Sequence, residues 1–152
     1  MKCSASVGIK DTSPSSVHLG GIDIFFIAHG TLPVQQECQR TYEQTLQVLT
    51  TNALSTVSLL TRIANRFESQ ADGTIAVISS VAGDRGRASN YVYGGAKAIV
   101  NTICAGLRHR LYPAGVKVVT IKPGFVDSPM TAHIEKGLLW RSEEHTSELQ
   151  SP

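Results

Sequence analysis

Three short apolar runs alternate with long amphipathic stretches along this chain. The first, Ile22 to Ala28 (IDIFFIA), is almost continuously apolar and is followed by Gly30 and Pro33. A run of that length without polar alternation reads as a strand buried on both faces, as in a parallel sheet. From about Val34 to Ser69 there is neither Gly nor Pro, and apolar residues recur at Leu46, Leu49, Ala53, Val57, Leu60 and Ile63. Steps of three and four predict one or two helices, the second from about Leu46 to Glu68. Ala71-Asp72-Gly73 breaks the pattern, and Thr74 to Ser80 (TIAVISS) is a second buried-type strand. After a loop at Gly83 to Gly86, Ser89 to Leu111 places Val92, Ala96, Val100, Ile103, Leu107 and Leu111 on one helical face. Pro113 and Gly115 end that helix, and Val116 to Ile121 is a third strand closed by Pro123-Gly124. Strand, helix, strand, helix, strand is the order of a parallel sheet with crossover helices, so the fold class is α/β.

Both ends differ from this middle. Residues 1–21 are rich in Ser, Gly and Pro and show little periodicity. Residues 141–152 (RSEEHTSELQSP) are abruptly polar after Leu138-Leu139-Trp140. That string resembles the translation of a sequencing-library adapter, so it is set apart from residues 22–140 as an expected non-native tail.

Composition narrows the function classes. Of 152 residues, 41% are hydrophobic and 17% charged, a globular balance, and the net charge is +2. The basic residues are scattered, which argues against a nucleic-acid partner. Cys3, Cys38 and Cys104 fit no zinc spacing and no CxxC pattern, so no metal site is expected. No apolar run approaches the ~20 residues of a membrane span, and no signal peptide is read at the start, so a cytoplasmic location is the default expectation.

Candidate chemistry lies at the strand ends. Tyr93 and Lys97 are four apart on a predicted helix and therefore share a face. An ammonium beside a phenol favours the phenolate and gives a group able to exchange a proton with a carbonyl or alcohol. Alone the pair is a weak signal, since a core tyrosine beside an exposed lysine is the blander reading. Gly94, Gly95 and Ala96 between them would admit a closely approaching ligand. Ser80 closes a strand thirteen residues before Tyr93, where ligand groups gather in open α/β sheets.

With these residues in place, the sequence resembles the short-chain dehydrogenase/reductase family. Ser80-Val81-Ala82-Gly83 is similar to its catalytic-serine block, Tyr93 to Lys97 to its YxxxK, and Thr51-Asn52-Ala53 to the block holding its fourth catalytic residue. Pro123 to Met130 (PGFVDSPM) is similar to its PG block. Blocks in this order and spacing are specific together, although none is alone. The resemblance implies a partial Rossmann-type, doubly wound parallel sheet in a three-layer α/β/α arrangement. It also implies oxidoreduction between an alcohol and a ketone with NAD or NADP. Tyr93 would be the general acid/base, and Lys97 would lower its pKa and bind the nicotinamide ribose. Ser80 would polarise the carbonyl, and Asn52 would hold a water for proton relay. Ala28, Gly30, Pro123, Gly124, Val126 and Ser128, with Tyr93 and Lys97, would line the cofactor. A homodimer or homotetramer is implied in the same way.

Two departures bear on this. Ile27-Ala28-His29-Gly30 stands where the family has Asn-Asn-Ala-Gly, keeping only Gly30. Only Gly8, Gly20 and Gly21 precede Ile22, and none fits the family's TGxxxGxG phosphate loop. The resemblance therefore implies poor cofactor binding and little turnover by this chain alone. A noncatalytic α/β binding module on the same scaffold is the alternative. A flavodoxin-like signalling domain fits poorly, since Asp23 begins its strand and Asp84 lies beyond one.

Overall fold

The computed structural model describes residues 21–126 and 140–141. The expectations for residues 1–20, for Ser128 and for the tail beyond Arg141 lie outside these.

Three strands, β1 (Ile24–Ile27), β2 (Thr74–Ile78) and β3 (Lys117–Ile121), form a parallel sheet in the order β1-β2-β3. Ile27 pairs with Val77, Val77 with Thr120, and Ile78 with Ile121. All three predicted strands are present, each one to three residues shorter than its apolar run. The register puts Phe25, Ile27, Ile75, Val77, Val118 and Thr120 on one face and Ile24, Phe26, Ala76, Ile78, Val119 and Ile121 on the other.

Helices cover the first face. α1 (Gln35–Cys38) is a single turn, and the chain then runs helically from α2 (Tyr42–Leu49) through a π turn (Thr50–Leu54) into α3 (Ser55–Gln70). The Leu46-to-Glu68 expectation therefore starts one turn late. Thr41 caps the true start, its hydroxyl accepting from the Gln44 N–H at 3.3 Å, in a segment too polar to show apolar periodicity. α3 ends at Ala71, which adopts the left-handed conformation at φ 58°. Gly73 follows with φ 126°, and a Cβ there would sit 2.9 Å from the Phe67 ring. Gly73 thus lets Phe67 seal the bottom of the core.

α4 (Tyr91–Leu111) lies beside α3. Leu60, Ile63, Ala64 and Phe67 of α3 and Val100, Cys104 and Leu111 of α4 pack on Ile27, Ile75, Val77 and Val118 of the sheet. This is the main core. The other face of the sheet leaves Ile24 and Phe26 exposed. Two further short strands, β4 (Phe125–Val126) and β5 (Trp140–Arg141), pair parallel to each other.

Candidate active site at the carboxyl ends of the strands

Parallel pairing places the carboxyl ends of β1, β2 and β3 side by side, so the loops at residues 28–31, 79–84 and 122–124 gather at one edge of the sheet. Ser80 follows β2 in extended conformation, and its hydroxyl accepts from the Ala82 N–H at 3.1 Å. A short 3-10 turn, Val81–Gly83, then lies directly on α4.

Two glycines make that contact possible. A Cβ on Gly94 would sit 2.7 Å from the Ala82 carbonyl oxygen, and one on Gly83 would sit 2.7 Å from the Ala98 nitrogen. Each glycine lets one backbone touch the other. Gly94 thus serves the serine loop, where the sequence suggested an approaching ligand, while the Cβ position of Gly95 is open.

The contact brings Ser80 to Tyr93. Burial raises the Tyr93 phenol above its ordinary pKa of 10.0, and the nearby Ser80 side chain draws it part of the way back. Lys97 stands one turn further along α4, only 4% exposed, with its ammonium 5.6 Å from the centroid of the Tyr93 ring. The ammonium donates to the Ile78 carbonyl at 3.3 Å, and burial lowers its pKa below 10.5. In this chain, burial outweighs any lowering of the Tyr93 pKa by Lys97.

Asn52 completes the group from the π turn, fully buried. Its amide nitrogen donates to the Val48 carbonyl at 3.1 Å and to the Thr31 hydroxyl at 3.3 Å, while its oxygen accepts from the Thr31 N–H at 2.9 Å. A π turn inside an α-helix is uncommon and often marks a functional position. Here its asparagine clamps the loop after β1. Gly30 sits in that loop, and a Cβ on it would lie 2.9 Å from Asn52 Oδ1 and 3.5 Å from Lys97 Nζ. Asn52 and Lys97 therefore border one small space that any larger residue at position 30 would fill. His29 beside it is exposed and bonds Ser55 Oγ at 2.8 Å.

Asn52, Ser80, Tyr93, Lys97 and Gly30 are thus together. Ala28 is exposed at the end of β1, and Pro123-Gly124 follows β3, next to the loop carrying Ser80. Val126 lies in β4. Thr31, the partner of Asn52, was not picked out from the sequence, and nothing in its local pattern marks it.

Comparison with known proteins identifies the family and the fold. The family model described as short chain dehydrogenase matches residues 12–138. An uncharacterized oxidoreductase of Mycobacterium tuberculosis is 37% identical over 112 residues, which are 74% of this chain and 45% of that protein. One from Staphylococcus epidermidis is 32% identical over 120 residues, covering 79% of this chain and 52% of the relative. The chain spans about half the length of these relatives. Among solved structures, a short-chain dehydrogenase from Burkholderia cenocepacia in complex with NADP superposes with a TM-score of 0.69 at 19% identity, covering 78% of this chain and 50% of the other. Another from Sphingobium yanoikuyae, in complex with NADPH, gives 0.67 at 27% identity, with 74% and 44% covered. By sequence and by fold, this chain belongs to the short-chain dehydrogenase family.

Proposed function

We propose that this segment is the catalytic part of an NAD- or NADP-dependent oxidoreductase that interconverts a small-molecule ketone and its alcohol. The observation that carries this reading is the meeting of Ser80, Tyr93 and Lys97 at the carboxyl edge of the sheet, beside the space kept open by Gly30.

That space suits the ribose side of a dinucleotide, because it combines a buried ammonium donor with an absent side chain. Lys97, Tyr93, Ala28 and Gly30 would hold the cofactor together with Pro123 and Gly124, and by the family resemblance Val126 and Ser128 would join them. When bound, the nicotinamide supplies or accepts the hydride. The protein's share is orientation and proton transfer. Ser80 donates a hydrogen bond to the carbonyl oxygen and fixes it against Tyr93. Tyr93 gives its proton to that oxygen in reduction and takes it back in oxidation. Lys97 makes proton loss from Tyr93 less costly, and the remaining lone pair on Asn52 Oδ1 holds a water that returns protons from solvent.

The raised Tyr93 pKa gives this chemistry a direction. At neutral pH the phenol carries its proton, so it is ready as an acid. Ketone reduction is therefore expected to lose rate only as pH passes the ordinary phenol value of 10.0, and alcohol oxidation to climb as pH rises over the same range. Both follow from steady-state rates in the two directions across pH.

The decisive test completes the matched residues with the flanking segments of the Mycobacterium tuberculosis relative and assays a panel of ketones with NADH and NADPH. Tyr93→Phe should lower turnover by about 100-fold or more, because it removes the proton donor. Cofactor affinity should stay close to that of the parent. Unchanged turnover in Tyr93→Phe would sink the assignment.

A further inference from the structure

A second group of polar side chains lies one turn beyond Lys97. Ser79, immediately before Ser80, is buried, and its hydroxyl donates to Asn101 Oδ1 at 2.5 Å. The Lys97 carbonyl oxygen lies 3.5 Å from the same hydroxyl. Asn101 Nδ2 in turn donates to Asp84 Oδ1 at 3.2 Å. Lys122, the residue before Pro123-Gly124, reaches that carboxylate oxygen at 2.7 Å. Four side chains in series therefore join the end of β2, the loop after Ser80, α4 and the end of β3.

The placement of Asn101 matters more than the strength of any single bond. Asp84 and Lys122 are partly exposed, so their ion pair adds little to stability. Ser80 lies between two positions, 79 and 84, that are both tied to the same Asn101 side chain. Asn101 lies four residues after Lys97 and eight after Tyr93, so the three share one face of α4. The backbone contact at Gly83 presses the loop onto the helix at this place, its Cβ position lying 2.7 Å from Asn101 Nδ2. Sliding of the serine loop along α4 would break one of the two Asn101 bonds, and either break changes how Ser80 meets Tyr93.

We propose that Asn101 is a positioning residue for the Ser80–Tyr93 pair, with Ser79 and Asp84 as its two anchors and Lys122 extending the brace to the Pro123-Gly124 loop. It touches no reacting atom. It sets the distance at which the serine loop docks on the helix carrying the tyrosine. The proposal rests on the reading of Ser80 and Tyr93 as the reacting pair.

The test uses the 152-residue chain with carbon-13 at the ring Cζ of its four tyrosines, Tyr42, Tyr91, Tyr93 and Tyr112. The Cζ shift reports the hydrogen bonding of each phenol at neutral pH. Ser80→Ala marks where the Tyr93 resonance lies without its serine partner. Asn101→Asp, which sets two carboxylates against each other, should move the Tyr93 resonance toward that position and leave the other three in place. Asp84→Ala, at an exposed site that threatens folding less, should move it the same way. Combining Asn101→Asp with Asp84→Asn restores the alternation of donor and acceptor and should return the resonance to its parent position. If Asn101→Asp and Asp84→Ala lower the melting temperature with Tyr93 unmoved, Asn101 is structural only and the proposal is wrong. If Ser80→Ala itself leaves Tyr93 unmoved, the pairing of Ser80 with Tyr93 falls, and the positioning role falls with it.

Discussion

Lys97 and Gly94 show what the site costs the fold at the scale of single residues. Lys97 is buried with one carbonyl partner and a tyrosine ring, and no carboxylate is paired with it among the described residues. Such a charge is a poor stabiliser, because its lost hydration is not fully replaced. Lys97→Met keeps most of the volume and is expected to raise stability by about 1 kcal/mol or more while abolishing any catalysis. The pH dependence should change with it. The folded-state pKa of Lys97 lies below the ordinary 10.5. Between the two values the unfolded chain binds more protons, so stability rises with pH there. Tyr93 acts oppositely, since its raised pKa costs stability as pH climbs above 10.0. Urea unfolding of the parent and Lys97→Met at neutral and mildly alkaline pH checks both points, and a variant less stable than the parent would contradict them. Gly94 fails differently. A methyl group 2.7 Å from the Ala82 carbonyl must push the serine loop away. Gly94→Ala should therefore cost about 1–3 kcal/mol and also separate Ser80 from Tyr93. Ser80, Tyr93 and Lys97 were legible in the sequence because order and spacing carry them. Thr31 and Asn101 were not, because their partners lie 21 and 22 residues away and depend on how two elements dock.

Element by element, what the sequence reveals follows from how each segment is stabilised. The strands show as apolar runs because each is short and buries at least one face, and the runs overshoot the ladder at Ile22-Asp23 and Ala28 around β1 and at Ser79-Ser80 after β2. α4 shows as a clear periodicity, with its start displaced by two residues to Tyr91. The helix from Tyr42 to Gln70 is harder. Its π turn shifts the apolar phase at Asn52, and its first turn, with Glu43, Gln44 and Thr45, presents no apolar stripe. A reading based on a single period of 3.6 residues registers only the part beyond Leu46. The same helix ends on Ala71 with φ 58°, where a Cβ is unfavourable. Glycine removes that clash at the position where helices most often use it. Ala71→Gly should therefore stabilise the chain by about 0.5–1 kcal/mol, the left-handed strain outweighing glycine's added freedom in the unfolded state. Thermal melts of the two proteins measure it, and a lower midpoint for the glycine variant would show that Ala71 is not strained.

For the whole molecule, the family match explains both what the fold achieves and what it leaves open. Residues 12–138 fall within the family model, and the described sheet carries the candidate site at one edge of three parallel strands. No described helix is long and apolar enough to cross a membrane. Helices α3 and α4 bury one face of the sheet, while on the other Ile24 is 66% and Phe26 54% exposed. Phe26 is in register with Ala76, and Ala76 with Val119, so the exposed phenylalanine continues an apolar row across all three strands. Among the described residues, β1 pairs only with β2, and no described strand lies along its other edge. An apolar face beside an unpaired edge is the combination from which sheets add strands of other molecules. The 152-residue chain should therefore self-associate as its concentration rises. Phe26→Lys should suppress this without weakening the fold, because its side chain points away from the core formed by Ile27, Ile75 and Val77. Light scattering coupled to size exclusion, over a dilution series of both proteins, gives the answer. A parent chain that stays monomeric at every concentration would mean that the exposed row and the β1 edge are not sticky.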